Sequence, residues 1–265
     1  MTRLVPASLV FLSLNLLIIA MNVKRVFESL LIILAFGVAV RVEASVVIDA
    51  TRVIYNQNES EVTLKLTNAG EKPALLQVWI DKGDPKAAPS SINVPFTITP
   101  PVSRIDPAKS QTLRIIYTGE ALPADHESVF WLNVLEIPSK ATGEEASANS
   151  LQIAFRSRIK LFYRPAGLKG DANGAPALVG WHVVTQDGHT ALEASNHSAF
   201  NVSFIEVKVT DGVNTASLAD GVMVGPGETA TMPLKGNVSG APAAKVHFRT
   251  LNDLGGSVEG EAPLK

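Results

Sequence analysis

The residue types that could carry catalysis are few and scattered in this sequence. It has five histidines and no cysteine in 265 residues, which leaves no thiolate nucleophile and no thiolate metal ligand. His182, His189 and His197 could approach one another on paired strands, but they lack the fixed ligand spacing of a metal site. GxSxG, HExxH and P-loop motifs are also absent. We therefore predict no catalytic residue, no metal site, no cofactor and no enzymatic activity.

The sequence also contains one glycine-rich stretch. Residues 225–230, with the letters GPGETA, resemble a dinucleotide-binding loop only as a string, because a proline interrupts them and no helical pattern follows. The sequence predicts a β-turn at this position.

A long alternating segment, residues 151–165, is the strongest candidate for binding. It has the letters LQIAFRSRIKLFYRP, and the alternation places Leu151, Ile153 and Phe155 on one side of an extended strand. Residues 159–163 are apolar apart from Lys160. Because strands usually run about five or six residues, a strand of about a dozen indicates an additional use. The pattern fits either a sheet-edge strand that binds another chain or an unusually long core strand of a sandwich.

The elements that must position this segment are β-strands. Residues 45–265 consist of short alternating apolar runs separated by turn residues, with no helical period. We predict an all-β chain in which residues 45–165 form an immunoglobulin-like β-sandwich of about seven strands. Residues 166–174 are predicted to form a linker, and residues 175–265 a second β-sandwich domain.

Two details of the first domain follow from the same pattern. The first strand is predicted to run unbroken from Val46 to about Tyr55. Pro100 and Pro101 have no N–H to donate to a neighbouring strand, so they are predicted to lie at a sheet edge or turn.

The first 44 residues form a targeting region rather than part of a domain. Residues 21–25 and 30–40 fit the positive and the apolar parts of a secretory signal, with cleavage predicted after Ala44 and translation predicted to start at Met21. A membrane anchor at residues 4–21 is the rival interpretation, but this run contains Pro6 and Asn15 and barely reaches spanning length.

Charge excludes one class of partner. The sequence has a formal net charge of -2 and no run of lysine and arginine. A nucleic-acid partner is therefore not expected.

Several stretches of the sequence carry a family resemblance. They are residues 122–138 (LPADHESVFWLNVLEIP), 151–154 (LQIA), 159–165 (IKLFYRP), Thr51-Arg52 in the first strand and 252–256 (NDLGG). Together these residues resemble the periplasmic chaperones of chaperone-usher pilus assembly, over essentially all of residues 45–265. His126 departs from the longer polar or basic residue that is usual at its position. The resemblance implies two immunoglobulin-like β-sandwich domains in tandem, with a boomerang-like arrangement and an interdomain cleft.

The resemblance also implies a way of binding. The chain would bind pilin subunits by donor-strand complementation, with Leu151, Ile153 and Phe155 filling the groove of a pilin that lacks its last strand. Arg52 and Lys160 would hold the pilin's C-terminal carboxylate and thereby set the strand register. Strict alternation puts Lys160 on the face opposite Phe155, so we predict a bulge or strong twist between these two residues.

Further roles and partners are implied by the same resemblance. Glu127, Arg164 and Asp253 resemble the family's interdomain ion network, which would fix the angle between the domains. The loop at residues 138–149, short to moderate and without cysteine, resembles that of the branch serving rod-forming pili. The implied partners are pilin subunits and an outer-membrane usher, in the periplasm. The free chain is also expected either to self-associate weakly through its exposed strand or to cover this strand with the loop at residues 138–149.

Two other classes of function stay open from the residues alone. A secreted β-sandwich binding module, such as an adhesin or a sugar-binding domain, needs a cleft with exposed aromatic residues. Trp79, Trp131 and Trp181 all lie in strand-like runs instead. A secreted hydrolase is the remaining alternative.

Overall fold

A computed structural model describes residues 45–138, 153–186, 188–238 and 244–264. The described residues contain two short 3-10 helices, Pro89–Ser91 and Ala175–Leu178. The strands are, in chain order, β1 (Val46–Ile48), β2 (Arg52–Asn56), β3 (Val62–Asn68), β4 (Ala74–Asp81), β5 (Phe96–Thr99), β6 (Val102–Ile105), β7 (Ser110–Tyr117), β8 (Ser128–Pro138), β9 (Phe155–Arg164), β10 (Val179–Gln186), β11 (His189–Asn196), β12 (Val202–Thr210), β13 (Thr215–Leu218), β14 (Val222–Val224), β15 (Thr229–Lys235), β16 (Lys245–Leu251) and β17 (Ser257–Pro263). The prediction of an all-β chain is confirmed. Within these ranges, no helix is long and apolar enough to cross a membrane. The predicted signal region, its cleavage after Ala44, Leu151 and most of the loop at 138–149 lie outside the described residues.

Strands β1 to β9 form two sheets around one apolar core. The strand order is β1-β3-β7-β5 in one sheet and β2-β9-β8-β4-β6 in the other. Leu66 and Leu113 from the first sheet pack with Leu76, Leu132 and Leu161 from the second, and all five are fully buried. The inward residues alternate with polar outward residues such as those of β3, as period-two strands require. The predicted sandwich is confirmed, with nine strands in the described part of this domain instead of about seven.

The prediction of one unbroken first strand is wrong. Val46–Ile48 pairs with β3 in one sheet, whereas Arg52–Asn56 runs parallel to β9 in the other. Residues 49–51 therefore carry the chain from one sheet to the other. Alternation continues through such a crossing, so the sequence pattern does not reveal it.

The two prolines lie where they were predicted. Pro100 and Pro101 fall between the end of β5 and the start of β6, and β5 is the last strand of its sheet. No ladder hydrogen bond is lost there, and the carbonyl of Pro101 accepts one from the N–H of Val78 at 2.8 Å.

Strand β9, within the 151–165 segment, is paired unequally on its two sides. It is antiparallel to β8 from Phe155 to Tyr163, but β2 pairs only with residues 160–164. Among the described strands, none pairs with residues 155–159 on the β2 side. The N-terminal half of β9 is thus a sheet edge. Of the two predicted alternatives, the bulge is absent, because the register with β8 is continuous from Phe155 past Lys160. The strong twist stays a prediction, and the two residues lie on opposite faces of the strand.

The second domain is one curved sheet. Its strand order is β10-β11-β15-β13-β12-β16-β17, with β14 paired to β12. Trp181 of β10 stacks on Phe248 of β16 with ring centroids 6.1 Å apart, although these strands lie near opposite ends of that order. The sheet must therefore curve over its own core, which confirms a second β-sandwich. Residues 166–174 contain no strand, and the exact domain boundaries stay a prediction.

Candidate binding site where the two domains meet

Arg52 and Lys160 lie next to each other because their strands are parallel. The register of β2 and β9 pairs these two residues directly. On β9, Ile159, Leu161 and Tyr163 pack in the first core. Alternation therefore turns Lys160 outward, toward the second domain.

Arg52 is almost fully buried, with 8% of its surface exposed. One terminal nitrogen, Nη1, donates a hydrogen bond to the carbonyl of Leu251 at 3.2 Å. Its Nε is buried without a hydrogen-bond partner, and its guanidinium lies 5.7 Å from the ring centroid of Phe162. Burial lowers the pKa of Arg52, and Asp253 and Glu127 offset this in part. The guanidinium stays charged all the same, because arginine begins from a very high pKa.

Lys160 reaches across to the second domain. Its Nζ donates to the hydroxyl of Ser203 on β12 at 3.3 Å and lies 5.6 Å from the ring centroid of Trp131 on β8. Burial, followed by repulsion from Arg52, lowers the pKa of Lys160 to about 8. The lysine is therefore mostly protonated at pH 7, but at a cost in free energy.

The two cations lie side by side without a bound carboxylate from the described part of the chain. Within the described residues, neither Arg52 nor Lys160 makes an ion pair with a carboxylate. Two partly or fully buried positive charges side by side repel each other, and an oxygen anion bound between them would relieve that repulsion. A carboxylate or a phosphate has the required geometry.

The start of the described part of the 151–165 segment is apolar and exposed. Ile153 and Phe155 are 51% and 50% exposed, although Phe155 lies on the same face of β9 as the buried Leu161 and Tyr163. The inner face of the strand thus continues beyond the core that it helps to build. Exposed apolar residues beside an unpaired strand edge are typical of a surface that adds another strand.

A buried ion network joins the two domains near this site. The Nε of Arg164 lies 2.7 Å from Oε1 of Glu127, and its terminal nitrogens lie 2.7 and 2.9 Å from the two carboxylate oxygens of Asp253. Oε2 of Glu127 accepts from the N–H of Asn201 in the second domain at 2.9 Å. The side chain of Glu127 is 2% exposed. Burial alone would lower the pKa of Arg164, but the hydrogen bonds to Asp253 and Glu127 outweigh it and raise this pKa.

Comparison with known protein families gives two matches that cover most of the sequence. Residues 45–169 match the family described as the pili and flagellar-assembly chaperone, PapD N-terminal domain. Residues 174–262 match that of the pili assembly chaperone PapD, C-terminal domain. This chain belongs to the pilus assembly chaperone family.

Similar proteins agree with this assignment. The chaperone is 45% identical over 223 residues to the probable fimbrial chaperone YadV of Escherichia coli K12, covering 83% of this chain and 90% of YadV. It is 41% identical to the chaperone protein FimB/FhaD of Bordetella pertussis, covering 83% and 88% of the two chains. Among solved structures, that of the YadV chaperone matches with a TM-score of 0.71 and 41% identity, covering 83% of this chain and all of that one. The SafB chaperone, solved in complex with the Salmonella enterica SafA pilin, matches with a TM-score of 0.69 and 26% identity, covering 83% and 96%.

Sequence reasoning missed the contribution of the second domain to the chaperone's cation site. The hydroxyl of Ser203 and the carbonyl of Leu251 are the contacts of Lys160 and Arg52. Residue type does not reveal either contact, because serine occurs in many strands and every residue has a backbone carbonyl. The sequence pattern places Trp131 in a strand but does not reveal its pairing with Lys160, which depends on the register between β8 and β9.

The remaining sequence candidates lie away from this site. His182 and His189 lie on the neighbouring strands β10 and β11, and the described residues contain no group of three or more potential ligands that could hold a metal ion. The predicted β-turn at 225–230 is confirmed, because the N–H of Glu228 donates to the carbonyl of Gly225 at 3.1 Å and Gly227 has a φ of +68°.

Proposed function

We propose that this chaperone binds pilin subunits in the periplasm by donor-strand complementation and passes them to an outer-membrane usher. The observation that carries the proposal is the geometry of β9. Its unpaired edge and exposed apolar residues lie at one end. Further along the same strand, Lys160 lies beside Arg52 of β2. A pilin strand paired with this edge could reach both.

The apolar residues are proposed to supply a large part of the binding energy. Ile153 and Phe155 are each about half exposed, and Leu151 is proposed as the third donor residue. Burying a large apolar side chain contributes about 1.5 to 3 kcal/mol. Because about half of each of the two described side chains is left to bury, completing three such burials gives about 2 to 5 kcal/mol before the costs of association. This gain is comparable to that of the charge-assisted hydrogen bonds to the carboxylate.

The cation pair sets the register. Phe155 and Lys160 are five residues apart, or roughly 16 Å along a strand. A pilin carboxylate held by Arg52 and Lys160 would fix which pilin residues meet the donor side chains. A slip of one residue would turn every apolar donor side chain away from the groove of the pilin. Each charge-assisted hydrogen bond contributes about 1.5 to 3 kcal/mol, which is enough to select one register.

The ion network is proposed to maintain this site. Both cations reach contacts in the second domain, so their positions depend on how that domain is held. Arg164 links Glu127 of the first domain to Asp253 of the second. We infer that the network fixes the interdomain angle at which Ser203 and Leu251 meet the two cations.

Two parts of the proposal depend on the family rather than on geometry. Periplasmic location is supported by the family and by the signal-like residues 21–44. Delivery to an usher is supported by family membership alone. A pilin as partner is further supported by the similarity to SafB, which was solved with the SafA pilin.

The decisive experiment is a double-mutant cycle between the cations and the pilin terminus. Denatured pilin with a free or an amidated C-terminus is diluted into the chaperone, and capture is titrated for the parent, Arg52→Ala and Lys160→Ala. The amidated pilin should bind the parent much more weakly, and the variants should discriminate much less between the two pilins. Losses that simply add would show that Arg52 and Lys160 do not hold the carboxylate.

The strand is tested separately. Ile153→Asp should abolish capture and leave the fold intact, because Ile153 is exposed in the free chaperone. Ile205→Asp is the matched control, since Ile205 is 39% exposed on β12 of the second domain. Normal capture by Ile153→Asp would exclude the proposed donor strand.

A further inference from the structure

We propose that Trp131 is a positioning residue for Lys160, and that the ion pair of Arg158 and Asp81 supports it. The indole holds the lysine side chain extended toward Ser203, so that its ammonium is in place before an anion arrives. This inference rests on the proposed function, because it concerns how the carboxylate site is kept ready.

The strand register places these residues in one row. Arg52 pairs with Lys160 across β2 and β9, Lys160 pairs with Trp131 across β9 and β8, and Trp131 pairs with Asp81 across β8 and β4. Residues directly opposite in a sheet project from the same face. The row therefore crosses four strands on the outer face of the sheet, with the cation pair at one end.

Trp131 contacts two cations. The guanidinium of Arg158 lies 4.2 Å from the ring centroid, and the Nζ of Lys160 lies 5.6 Å from it. Both distances are within the range of a cation–π interaction. Arg158 and Lys160 are two residues apart on β9 and share its outer face, so one ring serves both side chains.

Arg158 is itself held firmly. It forms an ion pair with both carboxylate oxygens of Asp81, in which Nε lies 3.2 Å from Oδ2. The amide of Asn133 donates to the same oxygen at 2.7 Å, and the N–H of Gly83 donates to Oδ1 at 2.6 Å. The side chain of Asp81 is 2% exposed. A carboxylate with this many donors fixes Arg158, and Arg158 in turn restricts the indole.

The physical need for such a support comes from lysine itself. A lysine has four rotatable side-chain bonds and loses substantial rotamer entropy when it is fixed. Lys160 also has Arg52 as its neighbour, and the repulsion between them favours rotamers that point away from the site. The face of Trp131 offers an apolar surface for the methylene stem and an attraction for the ammonium. Asp81 neutralises Arg158, so the second cation on the ring adds little further repulsion.

The test compares the affinity for pilin with a free C-terminal carboxylate with the affinity for pilin with an amidated C-terminus, expressed as a ratio. This ratio is measured for the parent, for Trp131→Leu, for Trp131→Phe and for the control Trp79→Leu. Trp79 lies on β4 on the same outer face and pairs with Asn133 rather than with Lys160. We expect Trp131→Leu to lower the ratio about threefold to tenfold, as a lost cation–π contact implies. Trp131→Phe should retain part of it, and Trp79→Leu should leave it unchanged.

A second measurement does not depend on pilin. In the free chaperone, the Cδ and Cε protons of Lys160 should show ring-current shifts in NMR spectra, and Trp131→Leu should remove them. Lys160 protons without such shifts would overturn the proposal.

The outcomes distinguish a failure of the carboxylate site from a failure of the positioning role of Trp131. If Trp131→Leu weakens binding of both pilin forms equally, then the ratio is unchanged, Trp131 has only a structural role, and the positioning proposal is wrong. If the parent itself does not discriminate between the two pilin forms, then the carboxylate site fails, and the positioning role fails with it. If Lys160→Ala removes the discrimination while Trp131→Leu does not, the carboxylate site stands and only the present inference is rejected.

Discussion

Replacing Lys160 by methionine should stabilise the free chaperone. The pKa of Lys160 is lowered to about 8, against about 10.4 for an exposed lysine. At 1.36 kcal/mol for each pKa unit, the charged form costs the folded state about 3 kcal/mol at pH 7. Methionine has a similar length and no charge, and it can pack on Trp131. The expected gain in the free energy of unfolding is about 1 to 3 kcal/mol, because the partly exposed ammonium retains some hydration.

The gain should depend on pH in a defined direction. Below about pH 8, Lys160 is protonated in both the folded and the unfolded chain, so the whole penalty is present. Between about 8 and 10.4 the folded chain loses its proton first, and the penalty shrinks as the pH rises. Above both values it disappears. The advantage of Lys160→Met should therefore be largest at pH 7 and small at pH 10.5.

Urea unfolding of the parent and the variant at pH 7, 9 and 10.5 measures this difference, and side-chain NMR of Lys160 measures its pKa directly. Lys65→Met is the matched control, because Lys65 lies on β3 with its side chain 55% exposed. It should change stability by less than about 0.5 kcal/mol. A variant that is less stable than the parent at pH 7, or a gain that persists at pH 10.5, would refute the reasoning.

Further predictions concern binding and the contacts between the domains. Pilin affinity should fall as the pH rises above about 8. A bound carboxylate raises the pKa of Lys160, so the complex holds a proton that the free chaperone loses. Titrations at pH 7 and 9.5 test this, and an equal fall with amidated pilin would contradict it. Arg164→Met should lower the free energy of unfolding by about 3 to 5 kcal/mol, because it leaves the buried Glu127 unpaired. Its control Arg114→Met, which breaks an exposed ion pair with Glu61, should have little effect, and similar urea midpoints for the two variants would argue against a structural network. Gly255→Ala should destabilise the chaperone more than Gly227→Ala. Both glycines have positive φ, but the new Cβ at position 255 would approach Thr51 Oγ1 of the other domain, whereas nothing lies within 4 Å at position 227. Thermal unfolding of both variants tests this. Sedimentation should show weak self-association of the free chaperone that Ile153→Asp abolishes, and a parent that stays monomeric at high concentration would remove this expectation.

Most of the strands and the fold class can be predicted from residue patterns alone. Apolar residues that alternate over short runs, with turn residues between them, specify half-buried strands wherever they occur. β3, β4 and β8 lie in such runs. Motifs around Trp131 and in residues 159–165 also indicated the family, because a motif is recognised from the order of its residues and requires no knowledge of their contacts.

Some strands of the second domain carry almost no alternating pattern. β13 and β14 are short, and β17 has the letters SVEGEAP, with little apolar surface to alternate. Their neighbours in the sheet hold them, since β17 pairs with β16 along its whole length. A strand formed by pairing with its neighbours gives only a weak pattern of its own.

The assembly of the site depends on contacts between segments that are distant in sequence. The proximity of Arg52 and Lys160 depends on the parallel register of β2 and β9, and this register joins segments more than a hundred residues apart in sequence. The second domain then supplies Ser203 and the Leu251 carbonyl. The expected bulge shows the limit most clearly. Alternation correctly put Phe155 and Lys160 on opposite faces, but a regular strand accommodates this, because its inner face extends beyond the core while its outer face meets the second domain. Periodicity along one strand is a local property, whereas what lies opposite each face is set by packing between distant segments.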